Sequence, residues 1–170
     1  TWGARILLAA STLGLVALNF LGLNPLFDHQ PIVGGAILNS LTLAYLVPCI
    51  LLGLLARKMS ALGIERFRVY VEGLALASFL AFVTLELKLL FDGPVLDHDL
   101  TLLEAGAIIC AWIAVAYGLA YRPTIFSSLA STWGAGIVLG ASAFGLITLN
   151  MLALNPLFDH RPIEGWAFFN

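Results

Sequence analysis

Charged residues are scarce in this sequence. Only 11% of its 170 residues are Asp, Glu, Lys or Arg, against about 25% in a typical soluble domain. The net charge of −2 has no dominant sign, so no basic surface for nucleic acid can be argued. Together with a hydrophobic content of 61%, this scarcity excludes an ordinary soluble enzyme, a nucleic-acid binder and a disordered chain.

Chemical signatures are equally scarce. The two cysteines, Cys49 and Cys110, both fall in apolar runs, where a cysteine usually behaves as a small hydrophobic residue. The sequence has no phosphate-binding loop, no nucleophile elbow and no zinc-ligand spacing. It therefore predicts no metal, no cofactor and no catalytic residues.

The sequence does contain long hydrophobic runs. Hydrophobic residues make up 61% of the chain, and a membrane-spanning helix needs about 20 apolar residues. Because none of the long runs alternates with the period of a strand, helices are the expected way to satisfy the backbone in lipid. We predict an all-α, polytopic transmembrane helix bundle with about five spans, at Trp2–Leu23, Gly35–Leu55, Val69–Phe91, Leu100–Tyr121 and Thr132–Leu154.

The distribution of Lys and Arg predicts an orientation. Six cations fall on one side of this topology, and only Arg161 is a loop cation on the other side. Cytoplasmic loops carry the excess of Lys and Arg, so we predict that the loop over residues 57–68 is cytoplasmic. The six cations on that side are Arg5, Arg57, Lys58, Arg66, Arg68 and Arg122.

The strongest signal is an internal repeat. Segment 1–39 matches segment 132–170 without a gap, at 25 of 39 positions and with a constant offset of 131, so that Asn24 recurs as Asn155. The unit contains four predicted helices, so successive copies keep the same orientation, and the repeat is parallel. We predict a four-helix repeat unit at 1–131 and the first helix and turn of the next unit at 132–170. We expect the chain to be a fragment of a longer array.

Several ordered motifs resemble a known family. They comprise Asn24-Pro25-Leu26, Gly34-Gly35, Asn39, Leu43-Ala44-Tyr45-Leu46-Val47-Pro48, the stretch from Phe82 to Gly93, Glu104 and Trp112. This order resembles the repeated hairpins of a large bacterial predicted-membrane-protein family known only as a domain of unknown function. The resemblance implies a multi-pass protein of the bacterial inner membrane. It implies no activity.

Ionisable residues inside a membrane are costly and usually functional or paired. Helical angles place Lys88 and Glu104 on facing small-residue stripes of the third and fourth helices, so we predict a structural ion pair. Thr101 and Glu104 also fit a capping box. Glu72 follows Arg68 by four residues, the spacing of an ordinary helical ion pair.

Glu86 lies about 160° around its helix from Lys88. It needs a partner from another helix, a bound cation or a proton. Asn19 and Asn39 are expected at the same depth, and we predict an outward-facing polar pocket formed by Glu86, Asn19 and Asn39. The alternative is a satisfied contact between helices.

Three Asp-His pairs fall in the predicted outer loops, at Asp28-His29, Asp97-His98 and Asp159-His160. They suggest metal or acid–base chemistry, but Asp near a helix end is also a common cap or turn residue. The second interpretation is favoured.

Three functions remain open. The first, ranked slightly above the second, is binding or transport of an envelope component through the Glu86 pocket. The second is a scaffold or accessory subunit of a larger membrane complex, and the third, ranked last, is a membrane enzyme acting on lipid-linked or glycan substrates. The expected partners are membrane lipids, the remaining helices of the parent chain and other subunits, with no nucleic acid.

Overall fold

Helices form the whole regular structure of the described part of the chain. The computed structural model describes residues 10–22, 24–28, 31–35, 37–61, 65–96, 98–121 and 127–159. Within these ranges there are five helices long and apolar enough to cross a membrane and no strand beyond one isolated bridge between Gly34 and Asn39. The predicted all-α bundle of about five spans is confirmed, and the class of protein is a helical membrane protein.

Seven helical elements follow one another along these described ranges. Three of them contain π-helical stretches, in which the hydrogen bonds run from residue i to i+5. The elements are α1 (residues 10–22, π-helical over Leu15–Gly22), α2 (Pro25–Asp28), α3 (π-helical over Thr42–Leu46, then α-helical over Val47–Ala61), α4 (Glu65–Asp92), α5 (Leu102–Tyr121), α6 (Ser128–Gly145, continuing as π-helix over Leu146–Ala153) and α7 (Pro156–Asp159).

The start of α3 differs from the prediction. We expected a helix from Gly35, but the chain first makes a tight turn in which Gly35 N–H donates to the Leu38 carbonyl and Ser40 N–H donates to the Val33 carbonyl. Gly34 has φ of +124° and Ile37 has φ of +73°, and a helix accepts neither value. The apolar composition of this segment concealed the turn, so the predicted boundary was wrong by several residues.

The cationic loop is also shorter than predicted. Arg57 and Lys58 belong to the last turns of α3, and Arg68 belongs to the first turn of α4. The segment between the two helices is only 62–64, which lies outside the described residues. The two helices extend past their apolar residues into the cationic segment, because long cationic side chains at a helix end reach toward water. Three of the other cations used for the orientation lie outside the described residues: Arg5, Arg122 and Arg161.

Helix α4 is the centre of the bundle. It packs against α3, α5 and α6, and α5 also packs against α6. One apolar cluster joins α3 and α4 near the beginning of α3, and a second joins them near the end of α3. We call the end of the bundle that contains the first cluster the Asp92 end, because α4 ends there at Asp92. The opposite end, which contains the second cluster, is the Arg68 end. The Asp92 end is closed by a hydrogen bond from Ile32 N–H to the Pro94 carbonyl, 2.7 Å between nitrogen and oxygen.

The same local geometry occurs twice along the chain. Each π-helical stretch of α1 and α6 is followed by an asparagine and a four-residue helix. Asn24 Nδ2 donates to the Phe20 carbonyl, and Asn155 Nδ2 donates to the Met151 carbonyl. The two π-helices begin at Leu15 and Leu146, which are equivalent positions of the sequence repeat.

Candidate functional site

Asn39 joins two helices at the Asp92 end. Its side-chain Oδ1 accepts hydrogen bonds from Leu41 N–H at 2.8 Å and Thr42 N–H at 3.2 Å. These are backbone donors that a helix start would otherwise leave unpaired. Its Nδ2 donates to Glu86 Oε1 of α4 at 2.7 Å. One buried amide therefore caps α3 and binds the carboxylate of α4.

Glu86 is held without a cation in the described part of the chain. Its side chain is partly exposed, and Asn39 is its hydrogen-bond partner. Through Asn39 it lies at the N-terminal end of α3, where the partial positive charge of the helix favours an anion. The structure therefore brings Glu86 and Asn39 together and leaves part of the glutamate accessible.

Asn19 makes a different contact from the one predicted. Its Nδ2 donates to the Ala44 carbonyl of α3 at 2.6 Å, and the Tyr45 hydroxyl donates to the Asn19 carbonyl. The rings of Phe20 and Tyr45 also pack edge to face, with centroids 5.7 Å apart. Asn19 thus attaches α1 to the π-helical start of α3, and it forms no hydrogen bond to Glu86.

Lys88 is the centre of a buried ionic network. Its Nζ donates to Asp92 Oδ2 at 2.5 Å, to Glu104 Oε1 at 3.2 Å and to the His98 carbonyl at 3.2 Å. The side chain of Lys88 is 11% exposed, that of Asp92 5% and that of Glu104 0%. The ammonium group has three protons, and each has an acceptor. The structure therefore brings Lys88 and Glu104 together, with Glu86 directed elsewhere.

Glu104 has two further contacts that fix its position. Its backbone N–H donates to Thr101 Oγ1 at 3.2 Å, and Thr101 N–H approaches Glu104 Oε2 at 3.4 Å. This is the reciprocal arrangement of a capping box at the start of α5. Sequence reasoning missed Asp92 as the third ionic member. The spacing of four residues from Lys88 was the signal that could have found it.

A second polar contact holds the Arg68 end. Glu72 is 2% exposed, and its carboxylate accepts from Arg68 Nε at 2.8 Å, from Ser127 N–H at 2.9 Å and from the Ser127 hydroxyl. Ser127 in turn caps α6 by accepting from Ala130 N–H. The predicted helical pair with Arg68 exists, but Glu72 also joins α4 to the start of α6.

The Asp-His pairs fall mostly outside the described part of the chain. His29, Asp97 and His160 lie outside it, as do the side chains of Asp28 and Asp159. His98 is exposed, and its carbonyl accepts from Lys88. Among the described residues, no three His, Cys, Asp or Glu side chains are close enough to hold a metal ion, and Cys49 and Cys110 are not bonded to each other.

Comparison of this chain with family models, curated proteins and solved structures finds no match. The class therefore rests on the fold itself. Five apolar helices with paired polar groups between them define a polytopic helical membrane protein.

Proposed function

We propose that this chain is a structural unit of a larger membrane assembly, a scaffold or accessory element built from parallel four-helix repeats. The proposal rests on the polar side chains buried between its helices. A transport pathway or an active site needs polar groups that remain available to a substrate. In the described part of this bundle most of the buried polar groups bind one another, and the buried atoms without a hydrogen-bond partner are Ser78 Oγ and Asn150 Oδ1.

The ionic network around Lys88 carries this proposal. All three protons of the Lys88 ammonium are engaged, and the two carboxylates beside it are almost completely buried. A network that is satisfied in this way fixes how α4 and α5 pack and offers little to a ligand. Asn39 and Asn19 likewise serve as links between helices.

The repeat suggests the form of the assembly. Identity at 25 of 39 positions and the matched π-helix, asparagine and short helix support a parallel array in which units follow one another at the offset of the repeat. The family resemblance of the hairpin motifs supports a place in the bacterial inner membrane. In the proposed orientation the Arg68 end is cytoplasmic, because it carries the clustered cations.

A second function is favoured by one observation at Glu86. Its side chain is partly exposed and has a single hydrogen-bond partner among the described residues. A carboxylate with acceptor capacity to spare at the Asp92 end suits a cationic or hydroxyl-rich envelope component. In this alternative, Glu86 binds the component and Asn39 orients the carboxylate.

Native mass spectrometry of the full-length protein in polymer nanodiscs separates these two functions. The scaffold proposal predicts a discrete protein assembly that is retained in Glu86→Gln, because glutamine keeps the oxygen that accepts from Asn39. The binding alternative predicts a bound small molecule or lipid that is lost in Glu86→Gln while the protein assembly is unchanged. A protein with neither a partner subunit nor a self-assembly would contradict the scaffold proposal.

A matched control tests the structural network in the same measurement. Lys88→Ala should dissociate or destabilise the assembly, because it leaves Asp92 and Glu104 without their cation. Lys58→Ala removes an exposed cation near the end of α3 and should leave the assembly intact. Equal loss in both variants would show that net charge, and not the buried network, controls assembly.

A further inference from the structure

The two copies of the repeated helix are unequally covered. In α6, a Cβ added at Gly134 would meet Leu76 of α4 and Leu119 of α5, and one added at Gly145 would meet Ile109 of α5. In α1, a Cβ added at Gly14, the counterpart of Gly145, would meet no atom within 4 Å. None of the apolar span Ala10–Phe27 is buried. The position that α5 covers in α6, Gly145, is therefore uncovered at its counterpart Gly14 in α1.

The sequence differences between the copies are not spread evenly around the helix. Segments 10–22 and 141–153 differ at six positions. Five of these are exposed in the second copy, and the sixth, Thr148, is half-buried. The five are Ala143, Phe144, Ile147, Met151 and Ala153.

Three packed positions of segment 141–153 have the same residues in both copies of the repeat. Ser142 is 1% exposed in α6, and its counterpart Ser11 is the same residue but is exposed in α1. Gly145 and Gly14 are also identical, and so are Asn150 and Asn19. On α5, a Cβ at Gly106 would lie 3.6 Å from Asn150 Nδ2. Gly145 and Asn150, which lie against α5, are thus shared by both copies, and so is the buried Ser142.

We infer that the Ser11–Gly14 face of α1 is a helix-docking surface, and that its occupant is the fourth helix of another repeat unit in the same polypeptide. This inference rests on the proposed parallel array and names the contact that would join consecutive units. The occupant presents the chemistry of α5. It places an aliphatic side chain against Gly14, as Ile109 lies against Gly145, whereas Asn19 is already bound to Ala44 of α3.

Close approach explains why these residue types are required. Association of helices in lipid depends on van der Waals contact and on small residues that let the backbones approach, since lipid tails are as apolar as the side chains. A glycine on a helix face exposed to lipid has no such use and lowers helix propensity. Glycine and serine at matching positions of both copies therefore indicate a partner helix for both.

A helix exchange within the chain tests whether the two faces are equivalent. The background carries Cys49→Ala, Cys110→Ala, Ile109→Cys and Gly145→Cys. Segment 141–153 is replaced by segment 10–22, with the cysteine kept at position 145. We expect oxidation to join positions 109 and 145 with a yield within a factor of two of that of the unexchanged chain.

The exchange has two informative failures and one control. A severalfold loss of this cross-link, or failure of the exchanged chain to fold, overturns the inference. The control Ser142→Leu, made in the unexchanged chain, places a bulky side chain on the packing face and should lower the yield severalfold. An unchanged yield in this control would show that the face is not packed against α5, which also overturns the inference.

Photo-cross-linking identifies the occupant in the full-length protein in its native membrane. Benzoylphenylalanine at Ser11 should give an intramolecular cross-link to an α5-like peptide of the same polypeptide. The same probe at Leu13, which is 70% exposed, should react with lipid. Lipid alone at Ser11, a different protein or a second copy each contradicts the inference.

The two proposals can fail separately. The exchange experiment reports only packing within one chain, whereas the nanodisc measurement reports protein assembly. A lost cross-link in a protein that still assembles refutes the docking surface alone. A normal cross-link in a protein that forms no assembly refutes the scaffold function alone.

Discussion

Asn39 and Glu86 form a hydrogen bond in which the direction of donation is fixed. Asn39 Oδ1 is occupied by the backbone of α3, so its Nδ2 must face Glu86 and donate. Glu86 can only accept when it is ionised. The start of α3 and the last turns of α4 are therefore joined by a hydrogen bond of defined direction, which can be reversed by mutation.

Reversing that polarity gives the first prediction. Asn39→Asp keeps the cap acceptor but removes the donor and places a second carboxylate beside Glu86. Hydrogen bonds to charged groups contribute about 1.5–3 kcal/mol, so we expect a loss of about that size in the free energy of unfolding, measured by denaturant titration in bicelles. Adding Glu86→Gln restores a donor on the opposite side and should recover at least half of the loss. Additive losses in the double variant would exclude the direct contact.

The second prediction concerns the ionic network. Lys88→Ala should cost about 3–5 kcal/mol, because removing one partner leaves buried charge uncompensated. Glu104→Ala should cost a similar amount, and the double variant should cost clearly less than the sum, since the two residues share one interaction. Asp92→Asn keeps an oxygen acceptor for Lys88 and should cost only about 1 kcal/mol. Denaturant titration in bicelles measures all four variants.

The control for this network is an exposed cation. Lys58→Ala should change the free energy of unfolding by no more than about 0.5 kcal/mol. If Lys88→Ala and Glu104→Ala add fully, the pair observed between α4 and α5 contributes no coupling, and the network cannot be what fixes their packing.

The third prediction compares two adjacent glycines. Gly34 has φ of +124°, and an added Cβ would lie 2.5 Å from the Leu38 carbonyl oxygen. Gly34→Ala should therefore be destabilising by about 1–3 kcal/mol, the cost of a strained backbone position. An added Cβ at Gly35 meets nothing within 4 Å, and Gly35→Ala should be nearly neutral. Thermal unfolding of both variants checks the pair, and equal melting temperatures would argue against the turn.

The fourth prediction tests orientation. In a chain without Cys49 and Cys110, a cysteine replacing Ser60 should be protected in intact cells from a membrane-impermeant maleimide, and one replacing Gln30 should react. The reason is the clustering of Lys and Arg near residues 57–68, because cytoplasmic loops carry the excess of these residues. Labelling at position 60 with protection at position 30 would place the protein the other way round.

The length of the apolar runs and the angular position of residues around a regular helix predicted the features that belong to a single helix. The spans follow because lipid requires about 20 apolar residues per crossing. Lys88 and Glu104 could be placed on facing stripes because residue angle around a helix is regular. The structure brings the two side chains within 3.2 Å.

The features that were missed depend on local turns or on irregular helices. The turn from Gly34 to Asn39 uses positive φ at two residues, and an apolar residue such as Ile37 gave no sign of it. Asn19 was expected beside Glu86 because depth alone was considered. Its attachment to Ala44 involves the π-helical stretches of α1 and α3, and these change the angle between residues in a way that a regular period cannot describe.

The contact between Glu72 and Ser127 has a consequence for the order in which helices assemble. The segments 1–39 and 132–170 share 25 of 39 residues and, on the inference above, one packing face, so α1 would compete for α5 before α6 has been made. Ser127 gives α6 an anchor on α4 that a shared packing face cannot provide, through the Ser127 N–H and hydroxyl on the Glu72 carboxylate. An anchor outside the repeated sequence thus distinguishes two helices that lipid and packing alone would treat as interchangeable.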